Sequence, residues 1–249
     1  MKRRFGRLWK VINIETTRVK LKKSGVEVLV RLFLVPFKQV ILLFISAGRI
    51  NIFGAWLYLV VSFVGMFGGT ALVSKFDPEL INERGLWKKK KDTKGWDKII
   101  LRAINIFGFC LPPVIAGLDV GRFRWSNLGI HFGIGGCVLF IPGAVFIHWA
   151  MLVNRHFEAS VRIQKDRGHR VITTGPYRIV RHPGYVGVIL WGISTPLIFG
   201  SVYGLIPAGI TVILLIIRTS LEDKLLRSEL NGYVEYTKRV RYKLLPGLW

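Results

Sequence analysis

Acidic residues are scarce in this 249-residue chain. Fourteen aspartates and glutamates face 37 lysines and arginines, for a formal net charge of +23. Cysteine is scarcer still. Cys110 and Cys137 both fall inside apolar segments and neither has a Cys-x-x-Cys partner. That argues against a disulfide framework or a zinc site and leaves them as small packing residues. The five histidines, His131, His148, His156, His169 and His182, show no His-x-x-x-His, His-x-x-His-His or His-Glu-x-x-His spacing. A di-iron oxygenase or a zinc protease would need such spacings to gather imidazoles on a metal. The first 23 residues are basic and lack the apolar core of a cleavable signal peptide.

Apolar residues, by contrast, make up 51% of the chain, and the mean hydropathy is +0.41. They come in blocks, several of which reach the ~20 residues that cross a bilayer core. Of the 37 basic residues, 31 fall in four clusters, at 1–23, 74–98, 151–183 and 218–249. If membrane spans separate the clusters in pairs, all four lie on the cytosolic side, as the positive-inside rule requires. The clusters form no groove interleaved with aromatics, so anionic membrane lipids rather than nucleic acid are the expected partners.

Val26 to Gly48, interrupted by Arg31, Pro36 and Lys38, reads as a span in preference to an interfacial helix, because a span puts the first two basic clusters on one side. Asn51–Val73, Ile99–Leu118 (kinked at Pro112-Pro113) and Asn127–Met151 are further spans. Pro78 marks a helix start within the polar stretch 76–98, where Trp87 and Trp96 suit the interface. Asp119 to Ser126 is expected to form a short loop on the opposite side. Gly184–Phe199 and Leu205–Ile217, separated by the turn-like Gly-Ser-Val-Tyr-Gly, predict a tight helical hairpin, after which Arg218–Trp249 emerges as a polar tail. Gly65, Gly68, Gly69 and the pair Gly129-x-x-x-Gly133 offer close-packing faces. His131 and His148 read as bundle-facing hydrogen-bond donors.

The least ordinary stretch is 164–187, QKDRGHRVITTGPYRIVRHPGYVG. It is polar and basic between two apolar segments. Gly175-Pro176 forces a turn, and His182-Pro183 drives His182 out of the helical region and seats Pro183 as the first residue of a helix. Tyr177, Arg181 and His182 then gather near that helix's N-terminus, a seat for an anionic group. Further on, Arg218 and Glu222 share a helix face at i, i+4 spacing. The ordinary reading of that pair is an intrahelical salt bridge worth a few tenths of a kcal/mol. Their place beside an apolar helix favours a functional one.

The ordered set Gly168-His169, Gly175-Pro176-Tyr177, Arg181-His182-Pro183-x-Tyr185-x-Gly187 resembles the cofactor-binding segment of the isoprenylcysteine carboxyl methyltransferase family. Arg218 with Glu222, Gly232-Tyr233, Tyr236, Arg239-Val240 and Leu245-Pro246 extend the resemblance. It implies an all-α polytopic membrane helix bundle of five to six spans, with a C-terminal helical hairpin and a cytosolic cofactor pocket. The expected division is a basic segment 1–25 and a membrane methyltransferase domain 26–249, its motif core at 164–246.

By that resemblance Gln164, His169, Arg170, Val171, Ile172, Tyr177, His182, Pro183, Gly184 and Tyr185 line a pocket for S-adenosylmethionine. Arg218 clamps a substrate carboxylate, and Glu222 orients that arginine or tunes the local charge. Where the family often has a second glutamate, this chain has Asp223, one methylene shorter. The implied reaction is methyl transfer to a lipophilic acceptor drawn from the bilayer, most simply a carboxylate. Two rivals are an NADPH-dependent membrane sterol or enone reductase, which shares an Arg-His-Pro-x-Tyr run, and a non-catalytic membrane interaction protein. Gly184, Val186 and Val188 depart from the reductase pattern, and the presence of Arg218, His182 and Glu222 speaks against lost catalysis.

Overall fold

A computed structural model describes residues 19–126 and 128–249; most of the expected basic segment 1–25 lies outside them. The described residues are helical, without strands. Helix α1 spans Lys23–Ala47 and α2 Phe53–Phe76; α3 is the short Pro78–Gly85; α4 spans Gly95–Phe123 and α5 Ile130–Val153. After a long loop come α6, Pro183–Phe199, α7, Leu205–Glu229, and α8, Tyr233–Arg239. Helices α1, α2, α4, α5 and α7 are long and apolar enough to cross a membrane. The chain is an integral, multi-pass membrane protein. At ~1.5 Å per residue α6 is about 25 Å long, just short of a typical hydrocarbon core.

Local chemistry accounts for the helix ends. Gly48 and Gly200 close α1 and α6 in the left-handed conformation, at φ 69° and 82°. Asp77 caps α3 by accepting from the Leu80 N–H at 2.9 Å, with Pro78 in the first turn. Single wide turns at Phe63–Gly68 in α2 and at Asn105–Cys110 and Gly117–Phe123 in α4 break the regular ladder.

The polar segments collect at one end of the bundle. There the Lys22 N–H donates to Asn82, Arg84 donates to the Phe157 carbonyl, Lys94 pairs with Glu229, and Arg167 pairs with Glu79. Charge clustering that the sequence explains by topology is therefore also physical proximity.

Helices α5 and α6 form the tightest pair. A Cβ on Gly187 would meet the Gly143 carbonyl at 2.6 Å, and one on Gly136 would meet the Ile198 nitrogen at 2.9 Å. The close-packing face is thus Gly136–Gly143. Around Gly129 there is open space, and Gly133 only just reaches α6, so the expected Gly129-x-x-x-Gly133 face is corrected. Gly65 and Gly69 do pack closely, on Phe140 and His148, whereas Gly68 meets only its own helix. His148 sits inside the bundle, bonded to the Ala144 carbonyl and Thr70, but His131 is exposed.

Two boundaries also differ from expectation. Helix α7 does not stop at Ile217: Leu221, Leu225 and Leu226, among good helix formers, carry it to Glu229, which places Arg218 near its middle. Helix α4 runs through Asp119 to Phe123, and Asp119 is fully buried. Its carboxylate accepts from the Ser126 N–H at 2.7 Å, from Ser126 Oγ at 2.6 Å and from Ser201 Oγ at 2.6 Å. This clasp joins the end of α4 to the α6–α7 turn. Asp119→Ala strands those donors and is expected to cost about 2–4 kcal/mol. Thermal unfolding in detergent reads it as a lowered midpoint, and an unchanged midpoint would show the clasp to be idle.

Candidate functional site

The loop between α5 and α6 is held from both sides. Gly175, at φ 57°, makes a turn that an L side chain would strain. Tyr177 follows it, its hydroxyl accepting from Asn154 Nδ2 at 2.8 Å and its carbonyl accepting from the Tyr236 hydroxyl at 2.7 Å. Burial raises the Tyr177 phenol well above its ordinary range. The N–H groups of Arg181 and His182 donate to the Tyr242 and Lys243 carbonyls, each at 3.0 Å, so the tail lies along the loop.

Buried Gln164 gathers the start of the loop. Its Nε2 donates to the His156 carbonyl at 2.7 Å, and its Oε1 lies 3.3 Å from His156 Nδ1. The His156 and His169 rings sit 4.7 Å apart. Burial lowers both imidazoles; His169 falls to about 4, helped by His156, Arg162 and Arg167. The pair is neutral at pH 7. Because the unfolded chain takes up protons first, it costs stability as pH falls below about 6.5 toward 4. His156 Nε2 is buried with no partner among the described residues.

On α7, Arg218 and Glu222 face the same cavity but do not pair with each other. Arg218 Nε and Nη2 clasp buried Asp97 of α4 at 2.7 and 3.3 Å, and Nη2 also donates to the Ala159 carbonyl at 2.9 Å. Its guanidinium lies 5.2 Å over the Tyr185 ring. Glu222 accepts instead from the Tyr185 hydroxyl at 2.5 Å, and Tyr185 stacks on His182. Of the Arg218 nitrogens, Nη1 alone forms no hydrogen bond among the described residues.

Asp223 turns out to be a hub. Arg181 donates to it through Nε at 2.7 Å and Nη2 at 3.2 Å, the Tyr233 hydroxyl at 3.0 Å and Arg227 Nε at 3.0 Å, with His182 Nε2 at 3.5 Å.

These groups surround a cavity of about 480 Å³, within the usual range of ligand clefts. Every residue expected to line the cofactor pocket borders it except Pro183, whose ring is buried in the first turn of α6; Arg218 and Glu222 border it too. Its polar half is formed by the loop. The other half runs between the spans, past Leu32 and Val35 of α1, Phe109 of α4, Val188 and Trp191 of α6 and Leu215 of α7. Sequence reasoning missed Arg84 and His156, which border the cavity, and Asp97, which holds Arg218 without lining it. Asp97 carried a faint signal, as an acid in a basic cluster at the threshold of an apolar helix.

Fold and site together define an integral, multi-pass membrane protein whose cavity joins a polar, loop-lined chamber to an apolar channel between helices. Residues 136–228 match the isoprenylcysteine carboxyl methyltransferase (ICMT) family. The chain is 39% identical over 61 residues to a probable protein-S-isoprenylcysteine O-methyltransferase of Oryza sativa, covering 24% of this chain and 32% of that protein. It is 30% identical over 139 residues to protein-S-isoprenylcysteine O-methyltransferase of Saccharomyces cerevisiae, covering 53% and 56%. With protein-S-isoprenylcysteine O-methyltransferase B of Arabidopsis thaliana it shares 28% over 108 residues, covering 42% and 55%. The matched regions thus span about a third to just over half the length of these relatives. Segment 136–228, which carries the 164–185 loop, Arg218 and Glu222, is the part of the chain similar to that family.

Proposed function

We propose that the protein transfers a methyl group from S-adenosylmethionine to the carboxylate of a lipophilic acceptor, as the names of its relatives suggest. The observation that carries this reading is the two-part cavity, polar at the 164–185 loop and apolar between the helices. One half suits a water-soluble donor, the other a lipid tail. The polar chamber also has unmet hydrogen-bonding capacity. The backbone groups of Arg170, Val171 and Ile172 and the Nε2 of His156 make no hydrogen bond among the described residues, and Arg170 has no ion pair there. Such groups fit the carboxylate, ribose and adenine edges of the donor.

Bound there, S-adenosylmethionine would supply an electrophilic methyl group on a sulfonium. The chain's own task is then positioning. An acceptor carboxylate is ionised at neutral pH and needs no general base. Arg218, pinned by Asp97 and stacked on Tyr185, fixes one wall, and the Tyr185–Glu222 bond fixes the ring. Alignment supplies most of the rate enhancement. The basic end of the bundle faces the cytosol, from which the donor enters.

Calorimetric titration with S-adenosylmethionine and, separately, with NADPH distinguishes this reading from the reductase. Saturable binding of the first alone is expected, weakened by Tyr177→Ala and His182→Ala. Binding of NADPH alone would favour the reductase and sink the transferase.

A further inference from the structure

The cationic side chains on the cavity wall sort by their partners. Arg218 is matched by Asp97, Arg181 by Asp223, and Arg162 by Glu158 and Asp166. Arg84, in the last turn of α3, makes no ion pair among the described residues. Its Nη1 donates to the Phe157 carbonyl at 2.8 Å, and its guanidinium lies 5.3 Å over the Phe157 ring. The acid next along the chain, Glu158, is already committed. Arg162 holds it at 2.9 Å through both Nε and Nη2, and Arg167 Nη1 lies 3.7 Å away.

A half-buried guanidinium with a carbonyl, an aromatic face and no ion pair among the described residues sits in an unfavourable position. Burial pulls its pKa down to about 10, with the like charge of Arg218 acting in the same direction and Glu158 opposing. The two arginines therefore feel one another's field while bordering one cavity, and only one of them is neutralised. Wall α1 adds to the imbalance. Arg31 and Lys38, two turns apart on one face, also line the cavity without ion pairs among the described residues, and the polar neighbour of Lys38 is Cys110 Sγ at 3.6 Å. Arg31 and Lys38 are exposed on their helix, so they add positive potential along the mouth of the cavity, and cations without ion pairs on a membrane span mark a path for an anion.

We propose that Arg84 receives the acceptor's carboxylate and makes the site selective for anionic amphiphiles, a reading that rests on the proposed methyl transfer. Arg218, its fork occupied by Asp97, has only Nη1 left to offer. Arg84, on the wall of the same cavity, brings its uncommitted nitrogens and a charge with no ion pair among the described residues, so the carboxylate is received by both. The arrangement selects against acceptors whose head is neutral.

The test measures binding rather than turnover. Purified full-length protein, saturated with S-adenosylhomocysteine so that no transfer occurs, is titrated with S-farnesylated N-acetylcysteine and with its carboxamide. The wild type should prefer the carboxylate by about tenfold or more, the range of one hydrogen bond to a charged group. Arg84→Gln should abolish the preference, Arg84→Lys should retain part of it, and neither should alter affinity for S-adenosylmethionine by more than about twofold. Retention of part of the preference by the lysine variant also excludes misfolding as the cause. An undiminished preference in Arg84→Gln would overturn the proposal. So would a loss confined to S-adenosylmethionine affinity, which would assign Arg84 to the donor's own carboxylate. The methyl-transfer reading fails separately: binding that shows the Arg84-dependent preference, with no label ever transferred, would leave Arg84 an anion receptor in a protein that is not a methyltransferase.

Discussion

Arg218→Lys is expected to lower turnover about a hundredfold or more while leaving donor affinity close to that of the wild type. Lysine keeps the charge. It cannot hold both oxygens of Asp97 and the Ala159 carbonyl at once, as Arg218 does through Nε and Nη2, nor lie flat over Tyr185. Asp97 in turn accepts from the Val161 N–H at 2.8 Å, so the pair ties α4, α7 and the loop together. A merely structural arginine would show its loss as a lowered thermal midpoint with the turnover of the surviving folded fraction unchanged. The expected pattern is the reverse, a small midpoint shift with a collapse in kcat. Wild-type turnover in the lysine variant would reduce Arg218 to a strut between two helices.

The second large effect is expected at Asp223. Asp223→Ala leaves Arg181 buried with only the Val240 and Arg241 carbonyls, at 2.8 and 2.7 Å, and strips His182 and Tyr233 of their shared acceptor. Removing one partner from such a buried ion pair costs about 3–5 kcal/mol. Because this cluster ties α7 to the His182 corner and the tail while the rest of the bundle is packed independently of it, the damage should be local. Proteolysis and hydrogen exchange should rise across 230–249, and donor affinity should fall by at least about tenfold. Asp223→Asn, which keeps acceptor capacity, should fall between. Normal protection of the tail in the alanine variant would refute the hub.

How much of this could be read from the chain depends on how local the physics is. The spans were legible because a bilayer demands long apolar runs. The corner at His182-Pro183 was legible because proline restricts its own and the preceding residue, and His182 indeed stands just outside α6 with Pro183 in the first turn. The end of α7 was not. Apolarity stops near Ile217, whereas helix propensity continues, and a helix that leaves the membrane has no compositional border at the crossing.

Partners were the least legible feature. The i, i+4 spacing of Arg218 and Glu222 named each other, yet Arg218 chose Asp97, 121 residues away, and Glu222 chose Tyr185. Local spacing offers a pair, and tertiary packing decides between offers. Asp223, one methylene shorter than a glutamate, is placed so that the shorter reach meets Arg181, His182 and Tyr233 together. His156 and Arg84 lie in stretches with no pattern of their own, and the packing of α3 on α1 and its bond to the loop at Phe157 bring them to the cavity.

Transfer of label is the most direct measurement. The full-length protein in lipid nanodiscs, given methyl-tritiated S-adenosylmethionine and S-farnesylated N-acetylcysteine, should yield tritium in an organic-soluble product that alkali releases as methanol, the signature of a methyl ester. The carboxamide analogue should yield none. Absence of label in the carboxylate, under conditions where S-adenosylmethionine demonstrably occupies the cavity, would contradict the account.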